Sequence, residues 1–210
     1  MKNDDSKYGA FVAAAHKVAQ YDLVKCSSGN LSWRVGPDQA MLSASGAWLA
    51  ELTPKQIALC DLSSGQCSNG VKPTCEVGFH IRILKARTDV NVVLHFQSPY
   101  ATALACGEPQ KHNLNLTIEV PVYIGTASVV DYIPPGSNEL ADAVVNAFSG
   151  GETKMAILKN HGLVTVGKTF DDAIQKATFF EQACQICLTN PDAKPLDITA
   201  VDRLRDLGKA

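Results

Sequence analysis

The run Val92-Val93-Leu94-His95-Phe96-Gln97 ends an apolar stretch with two polar side chains two residues apart. On a strand, such residues point to the same face. His95 and Gln97 are therefore expected side by side at a buried strand end, where a metal ion or a substrate could sit. A second apolar run, Met155 to Lys159, leads into Asn160-His161-Gly162, so two strand ends carrying histidines could converge. Glu76 is a fourth polar residue at the end of an apolar element. Imidazole nitrogens and carboxylate oxygens are the usual ligands of a catalytic zinc, with one position kept for water or substrate. A glutamate beside such an ion could also act as a base. A lone histidine at a strand end is more often a hydrogen-bonded core or surface residue, so spacing alone leaves the metal site open.

Three further segments could hold an anion. Ser28-Gly29-Asn30 and Ser43-Ala44-Ser45-Gly46 are glycine turns beside apolar elements. Glycine lets backbone amides approach an anion, and serine or asparagine adds donors. Thr74-Cys75-Glu76 would open a helix, with free amides and the positive end of its dipole. Taken singly, each is equally well explained as an ordinary turn.

The elements that must position these residues are read from periodicity. A stripe of Tyr8, Phe11, Val12, Ala15, Val18 and Ala19 predicts a helix over 6–24. Short strands are expected at 31–35 and 40–44, around Gly36-Pro37-Asp38. Thr53-Pro54-Lys55-Gln56 has a capping-box pattern with proline at the first helical position. A strand over 57–62 and a hairpin turn over 63–66 follow. Thr74 could cap a helix over 75–87. Strands are expected at 90–96, 120–124, 155–159 and 163–166, and helices at 99–106, 138–148 (capped by Ser137) and 170–188 (opened by Thr169). Little order is expected beyond Pro191. Strands and helices interleave irregularly, which points to an α/β sheet of mixed direction with helices on its faces. No linker, repeat or low-complexity block interrupts the chain, so residues 1–210 are read as a single domain.

Composition narrows the function. The 210 residues are 46% hydrophobic and 19% charged, with net charge −2, as in a globular protein with a sizeable core. No basic stripe suggests nucleic acid, and no polybasic cluster suggests a membrane surface. The first residues are too acidic for a signal peptide and lack a long apolar core behind them. No segment is long and apolar enough to span a bilayer. Seven cysteines, an odd number, without a secretion signal are read as free thiols in a reducing compartment, the cytoplasm. Cys184-Gln185-Ile186-Cys187 falls late in an amphipathic helix and is read as core cysteines rather than a redox or metal motif.

In order along the chain stand Ser28-Gly29-Asn30-Leu31-Ser32, Leu42-Ser43-Ala44-Ser45-Gly46, Lys72-Pro73-Thr74-Cys75-Glu76, His95-Phe96-Gln97-Ser98-Pro99-Tyr100-Ala101-Thr102-Ala103, Pro135-Gly136-Ser137-Asn138-Glu139-Leu140-Ala141 and Asn160-His161-Gly162. This ordered set resembles the class II aldolase/adducin family over roughly Tyr8 to Leu188. The resemblance implies a three-layer α/β/α sandwich around a central, largely antiparallel mixed sheet. It implies a ring tetramer with active sites between neighbouring subunits. It also implies a divalent metal, usually zinc, held by three histidines: two from a His-x-His strand end and one from a turn such as Asn-His-Gly. The glutamate matching Glu76 binds the metal at rest and serves as acid and base. The residues matching Asn30, Ser45, Gly46, Thr74 and Cys75 hold the substrate phosphate.

The activity so implied is that of an aldehyde lyase. It would cleave a phosphorylated ketose such as L-fuculose 1-phosphate through an enediolate whose charge the metal stabilises. The same site is used by ribulose-phosphate epimerases and methylthioribulose-phosphate dehydratases, and adducin shows the fold as a non-catalytic binding module. Glu119 lies in about the segment from which relatives supply an acid to the adjacent subunit; it reads equally well as a solvated strand-end charge.

The sequence departs from the family in three places. Gln97 stands where the second histidine should be. A carbonyl oxygen is a weaker and harder donor than imidazole, which should lower zinc affinity or favour manganese or magnesium. Cys75 replaces a common serine, and a thiol is a poor donor to phosphate. No tyrosine follows Pro191 to act as a C-terminal acid. His80, one turn after Glu76, could orient Glu76 or replace the missing ligand, although a packed or surface role is the more ordinary one.

Overall fold

A seven-stranded sheet runs through the molecule in a computed structural model that describes residues 2–208. Its strands are β1 (Asn30–Arg34), β2 (Gln39–Ser43), β3 (Ile57–Asp61), β4 (Val92–Phe96), β5 (Ser128–Val130), β6 (Met155–Leu158) and β7 (Gly162–Gly167). They lie in the order β3-β2-β1-β4-β7-β6-β5. Every neighbouring pair is antiparallel except β5–β6, which is parallel. The helices are α1 (Lys2–Gln20), α2 (Val77–Ala86), α3 (Pro99–Ala105), α4 (Asn138–Phe148), α5 (Phe170–Thr189) and α6 (Ile198–Leu207).

The side-chain alternation of β4 explains the layers. Val92, Leu94 and Phe96 join one core with Phe11 of α1, Leu104 of α3 and Phe180 of α5. Val93 turns to the other core, with Phe79 of α2 and Val144 and Phe148 of α4. A strand buried on both faces reads as a near-continuous apolar run, which is what β4 shows. Each such side chain contributes roughly 1.5–3 kcal/mol of burial. The result is the α/β/α sandwich with a largely antiparallel sheet. His95 shares the face of Val93 and looks towards α2.

Several expected elements differ. The segment 120–124 is a π-helical turn, Val120–Ile124, not a strand. Pro121 lacks an N–H for a ladder, and Gly125 N closes the turn on Val120 O at 2.8 Å; a short apolar run does not by itself distinguish the two. The strand in this region is β5, three residues long. The stretch beyond Pro191 is ordered as α6, where Asp197 accepts from Ala200 N at 2.9 Å. Its Val201 is buried, and Gly208 passes so close to Val122 that an added Cβ would collide with the Val122 carbonyl. Helix α1 begins at Lys2 and ends at Gln20, four residues earlier at each end than expected; its end is set by Asp22, which takes a left-handed conformation (φ 56°). The seven thiols are not all free: Cys60 and Cys67, paired across an antiparallel bridge, form a disulfide.

Helix α2 starts at Val77, two residues later than Thr74 capping predicts. Thr74-Cys75-Glu76 form the turn before it. Val77 N bonds Thr74 O at 3.1 Å, and Thr74 Oγ1 accepts from Glu76 N at 3.3 Å. Glu76 thus stands at the head of α2, facing the ends of the central strands β1 and β4 rather than lying along the helix.

Candidate metal centre

Glu76, His95 and His161 converge: one ligand atom from each lies within 4.8 Å of the others. His95 Nε2 is 3.4 Å from Glu76 Oε2, and His161 Nε2 is 3.2 Å from Glu76 Oε1. The two rings are 4.9 Å apart, centre to centre. Glu76 is 4% exposed and His95 1%.

Backbone geometry sets this up. Between β6 and β7, Asn160 adopts φ 55°, a conformation Asn tolerates better than most residues. Its N–H is tied to Ala105 O at 3.1 Å. A Cβ on Gly162 would sit 2.7 Å from Phe96 O and 3.1 Å from His95 Cε1, so only glycine lets the two histidine-bearing strand ends meet. Gly29, at φ 76°, plays the same part beside β4, where a Cβ would lie 2.7 Å from His95 O.

The donors suit a cation. His95 Nδ1 pairs with Leu163 O at 2.9 Å; since a carbonyl only accepts, Nδ1 carries the proton and Nε2 presents a lone pair. Such an outer bond fixes the tautomer of a metal-binding histidine. Glu76 Oε1 and His161 Nδ1 have no hydrogen-bond partner although buried, and unsatisfied buried polar atoms ask for an explanation. Two imidazoles and one carboxylate, with room for water or substrate, form a set that a catalytic divalent ion takes. Burial favours the neutral carboxyl of Glu76, but His95, His161 and Asn30 outweigh it and hold the group well below the usual carboxylate range. Burial is the largest influence on His95 and keeps its imidazole neutral.

A cavity of 160 Å³ opens over the cluster. Gln97 lines it, as do Asn30, Ser45, Gly46, Thr74 and Cys75. Gln97 lies just past β4, its Cγ packed where a Gly162 Cβ would be. Glu119 does not line this cavity of its own chain; it is half-buried at the start of the π-helical turn. A larger cleft of 480 Å³ beside that turn includes none of the cluster residues. Asn30 faces inward: its Nδ2 donates to Glu76 Oε2 at 2.8 Å, and its Oδ1 accepts from His80 Nε2 at 2.5 Å. Sequence reasoning missed that pairing, although Asn30 and His80 had each drawn attention separately. His80 is fully buried behind the cavity and is not among the three converging groups.

The model of the class II aldolase and adducin N-terminal domain matches residues 10–188. The chain belongs to this family. It is 33% identical over 176 residues to an L-fuculose phosphate aldolase of Methanococcus maripaludis, covering 84% of this chain and 93% of that one. It is 29% identical over 187 residues to a 3-oxo-tetronate 4-phosphate decarboxylase of Haemophilus influenzae, covering 87% and 88%. Among solved structures it resembles YgbL of Klebsiella pneumoniae, described as a putative aldolase/epimerase/decarboxylase, with TM-score 0.86 and 26% identity over 94% of this chain and 97% of that one. The protein is thus a class II aldolase-type enzyme, a metal-dependent lyase. Among the described residues no helix is long and apolar enough to cross a membrane.

One consequence of the buried site concerns pH. Burial lowers the His80 pKa from 6.5 to about 3. Between those values the unfolded chain takes up a proton that the folded one refuses. Stability therefore falls as pH drops through 6.5 and continues to fall towards 3, by up to about 1.4 kcal/mol per pH unit for this group. Glu76, with its lowered pKa, acts in the same direction below its ordinary value of 4.5. Urea midpoints of chelator-treated protein should drop between pH 7 and pH 5, and less steeply in His80→Gln. A flat profile for both proteins would contradict this.

Proposed function

We propose that the protein is an aldolase that cleaves a phosphorylated ketose such as L-fuculose 1-phosphate, acting as one domain over residues 1–210. Glu76, His95 and His161 are the proposed metal ligands, with Gln97 close enough to complete the shell, and Glu76 is also the proposed acid and base. Zinc is the proposed ion, with manganese or magnesium as alternatives because of Gln97. The observation that carries this reading is the convergence of one carboxylate and two imidazoles beneath a cavity rimmed by small polar residues. A bound divalent ion would supply Lewis acidity to the ketose carbonyl and its neighbouring hydroxyl.

The remaining work falls to the chain itself. In cleavage the hydroxyl that becomes the aldehyde gives up its proton, on this reading to Glu119 of the neighbouring subunit. The carbon–carbon bond breaks, and Glu76 in its protonated form delivers a proton to the carbon beside the ketose carbonyl. In the synthetic direction Glu76 removes that proton from dihydroxyacetone phosphate and Glu119 protonates the new hydroxyl. The proposed phosphate site is Asn30, Ser45, Gly46, Thr74 and Cys75. Ser45 N is already bonded to Lys72 O, and Thr74 N to Ser43 O. Donation to phosphate therefore rests on the Ser45 and Thr74 hydroxyls, the Gly46 and Cys75 amides, and the second amide hydrogen of Asn30. The Cys75 thiol is then no obstacle, because its backbone N–H does not depend on the side chain.

The decarboxylase relative favours a second reading: loss of carbon dioxide from a phosphorylated 3-oxo acid, followed by the same protonation. Metal analysis of the purified protein, then assays for aldehyde and for carbon dioxide, separates the two readings. The absence of both products with metal bound would defeat them together.

Gln97 allows a sharper test. Restoring imidazole with Gln97→His should raise zinc affinity about tenfold, equivalent to about 1.4 kcal/mol, with activity at limiting metal rising or holding. Isothermal titration showing equal, negligible zinc binding by both proteins would remove the metalloenzyme reading.

A homotetramer is also proposed, with Glu119 as an acid reaching the neighbouring subunit's site. Light scattering that finds only a mass near 22.4 kDa at micromolar concentration would rule it out. A cytoplasmic location completes the proposal. Five free cysteines support it, while the Cys60–Cys67 bond speaks against it.

A further inference from the structure

Behind the cavity, four side chains from three elements form one chain of hydrogen bonds. Ser32 of β1 meets His80 Nδ1 at 2.7 Å, His80 Nε2 meets Asn30 Oδ1 at 2.5 Å, and Asn30 Nδ2 meets Glu76 Oε2 at 2.8 Å. Ser32 and His80 have no exposure at all, and Asn30 has 7%. His80 stacks on Phe79 with ring centres 4.7 Å apart and does not line the cavity, so it cannot touch a substrate there.

The direction of every bond follows from Glu76. An ionised carboxylate only accepts, so Asn30 must turn its NH₂ towards it. That leaves Asn30 Oδ1 facing His80, whose Nε2 must then carry the proton. His80 Nδ1 is left as the acceptor, and the Ser32 hydroxyl donates to it. Every bond in the chain has one donor and one acceptor that fit, the condition under which a buried polar network fixes a single geometry. Its effect is to make the two oxygens of Glu76 unequal. Oε2 is held by Asn30, while Oε1 has no donor and lies towards His161.

We propose that His80 is a positioning residue: through Asn30 it holds one oxygen of Glu76 and so leaves the other to move the substrate proton. This rests on the reading of Glu76 as the acid and base. Asn30 and His95 are opposite one another in the β1–β4 register, so the chain of bonds also keeps Glu76 in step with the strand that carries His95. Without the His80 N–H, the Asn30 carbonyl is left buried and unpaired, and its amide is free to turn from Glu76 towards the cavity.

Two substitutions separate positioning from simple core filling. His80→Leu fills the space without a donor. His80→Gln can bring an amide N–H to nearly the same point as imidazole Nε2. At saturating zinc and substrate, His80→Leu should lower kcat about 10–100-fold, the usual cost of losing such an outer partner, a larger change than in KM, with zinc stoichiometry nearly unchanged. His80→Gln should recover most of the loss.

The Asn30 side-chain amide signals of metal-free, ¹⁵N-labelled protein supply a readout independent of turnover. They should shift in His80→Leu and return towards wild type in His80→Gln. Wild-type kcat in a folded His80→Leu, no recovery in a folded His80→Gln, or Asn30 signals indifferent to both changes would each overturn the proposal. If wild-type protein turns over neither substrate class, the functional reading fails, and the Asn30 signals alone decide the hydrogen-bond chain.

Discussion

Glu76→Gln should lower the lyase rate by about 10²–10⁴-fold, the range for losing a positioned acid or base, while the chain stays folded. The amide is isosteric with the carboxyl, and a glutamine oxygen can still accept from Asn30 Nδ2 in place of Oε2. What disappears is the ability of Oε1, the oxygen without a donor, to take and return a proton. The loss should therefore fall on kcat. It should appear equally in a reaction that needs no carbon–carbon cleavage: exchange of deuterium from solvent into dihydroxyacetone phosphate. Zinc should still be retained through His95 and His161, although more weakly. The expected pattern is a folded, metal-containing protein without exchange. Exchange at the wild-type rate would remove Glu76 from the proton-transfer role and pass it to another group.

Much of the site was legible in the residues and in the strand period, but the convergence of its parts was not. His95 and His161 stood out because each ends an apolar run. The strand period placed His95 and Gln97 on one face, and both now line one cavity. Glu76 stood out as a polar residue at the end of an apolar element, but that it meets the histidines could not be read locally, because nothing there says that a turn before α2 will fold back over β4. The chain from Ser32 through His80 and Asn30 was invisible for the same reason. It joins residues about fifty positions apart that meet only where α2 packs on β1.

The elements followed the same logic. Helix α4, with Ser137 as its cap and a clear apolar stripe, was read to its boundaries. A five-residue apolar run carries no period, so Val120–Ile124 reads as a strand, and three residues carry no pattern that would reveal β5. Helix α6 carries Ile198, Val201 and Leu204 at three-residue spacing, a stripe that the expectation of little order beyond Pro191 misses, although the helix buries only Val201. The Cys60–Cys67 bond depends on an antiparallel bridge at the end of β3, which no cysteine count predicts.

His161→Ala should cost the protein its metal, with zinc affinity falling on the order of a hundredfold. A four-ligand structural zinc site is worth about 10–16 kcal/mol, or roughly 3 kcal/mol per ligand, which corresponds to about two decades in Kd. Here the loss is harder to absorb, since Gln97 offers a weaker donor than the imidazole expected there. His161 sits on the β6–β7 turn with Nδ1 unpartnered, so its removal gives up only the contact of Nε2 with Glu76 Oε1 at 3.2 Å and should change thermal unfolding of the metal-free protein far less than it changes zinc affinity. This separates it from Glu76→Gln in a direct way. Saturating zinc should restore much of the activity of His161→Ala, because Glu76 is intact and the ion can be driven back by mass action. It should restore none of the activity of Glu76→Gln. Paired zinc titrations of activity and of bound metal on the two variants test this. Wild-type zinc affinity in His161→Ala would mean that the ion, if it binds at all, is not held at the meeting point of the two strand ends, and the site would have to be sought elsewhere.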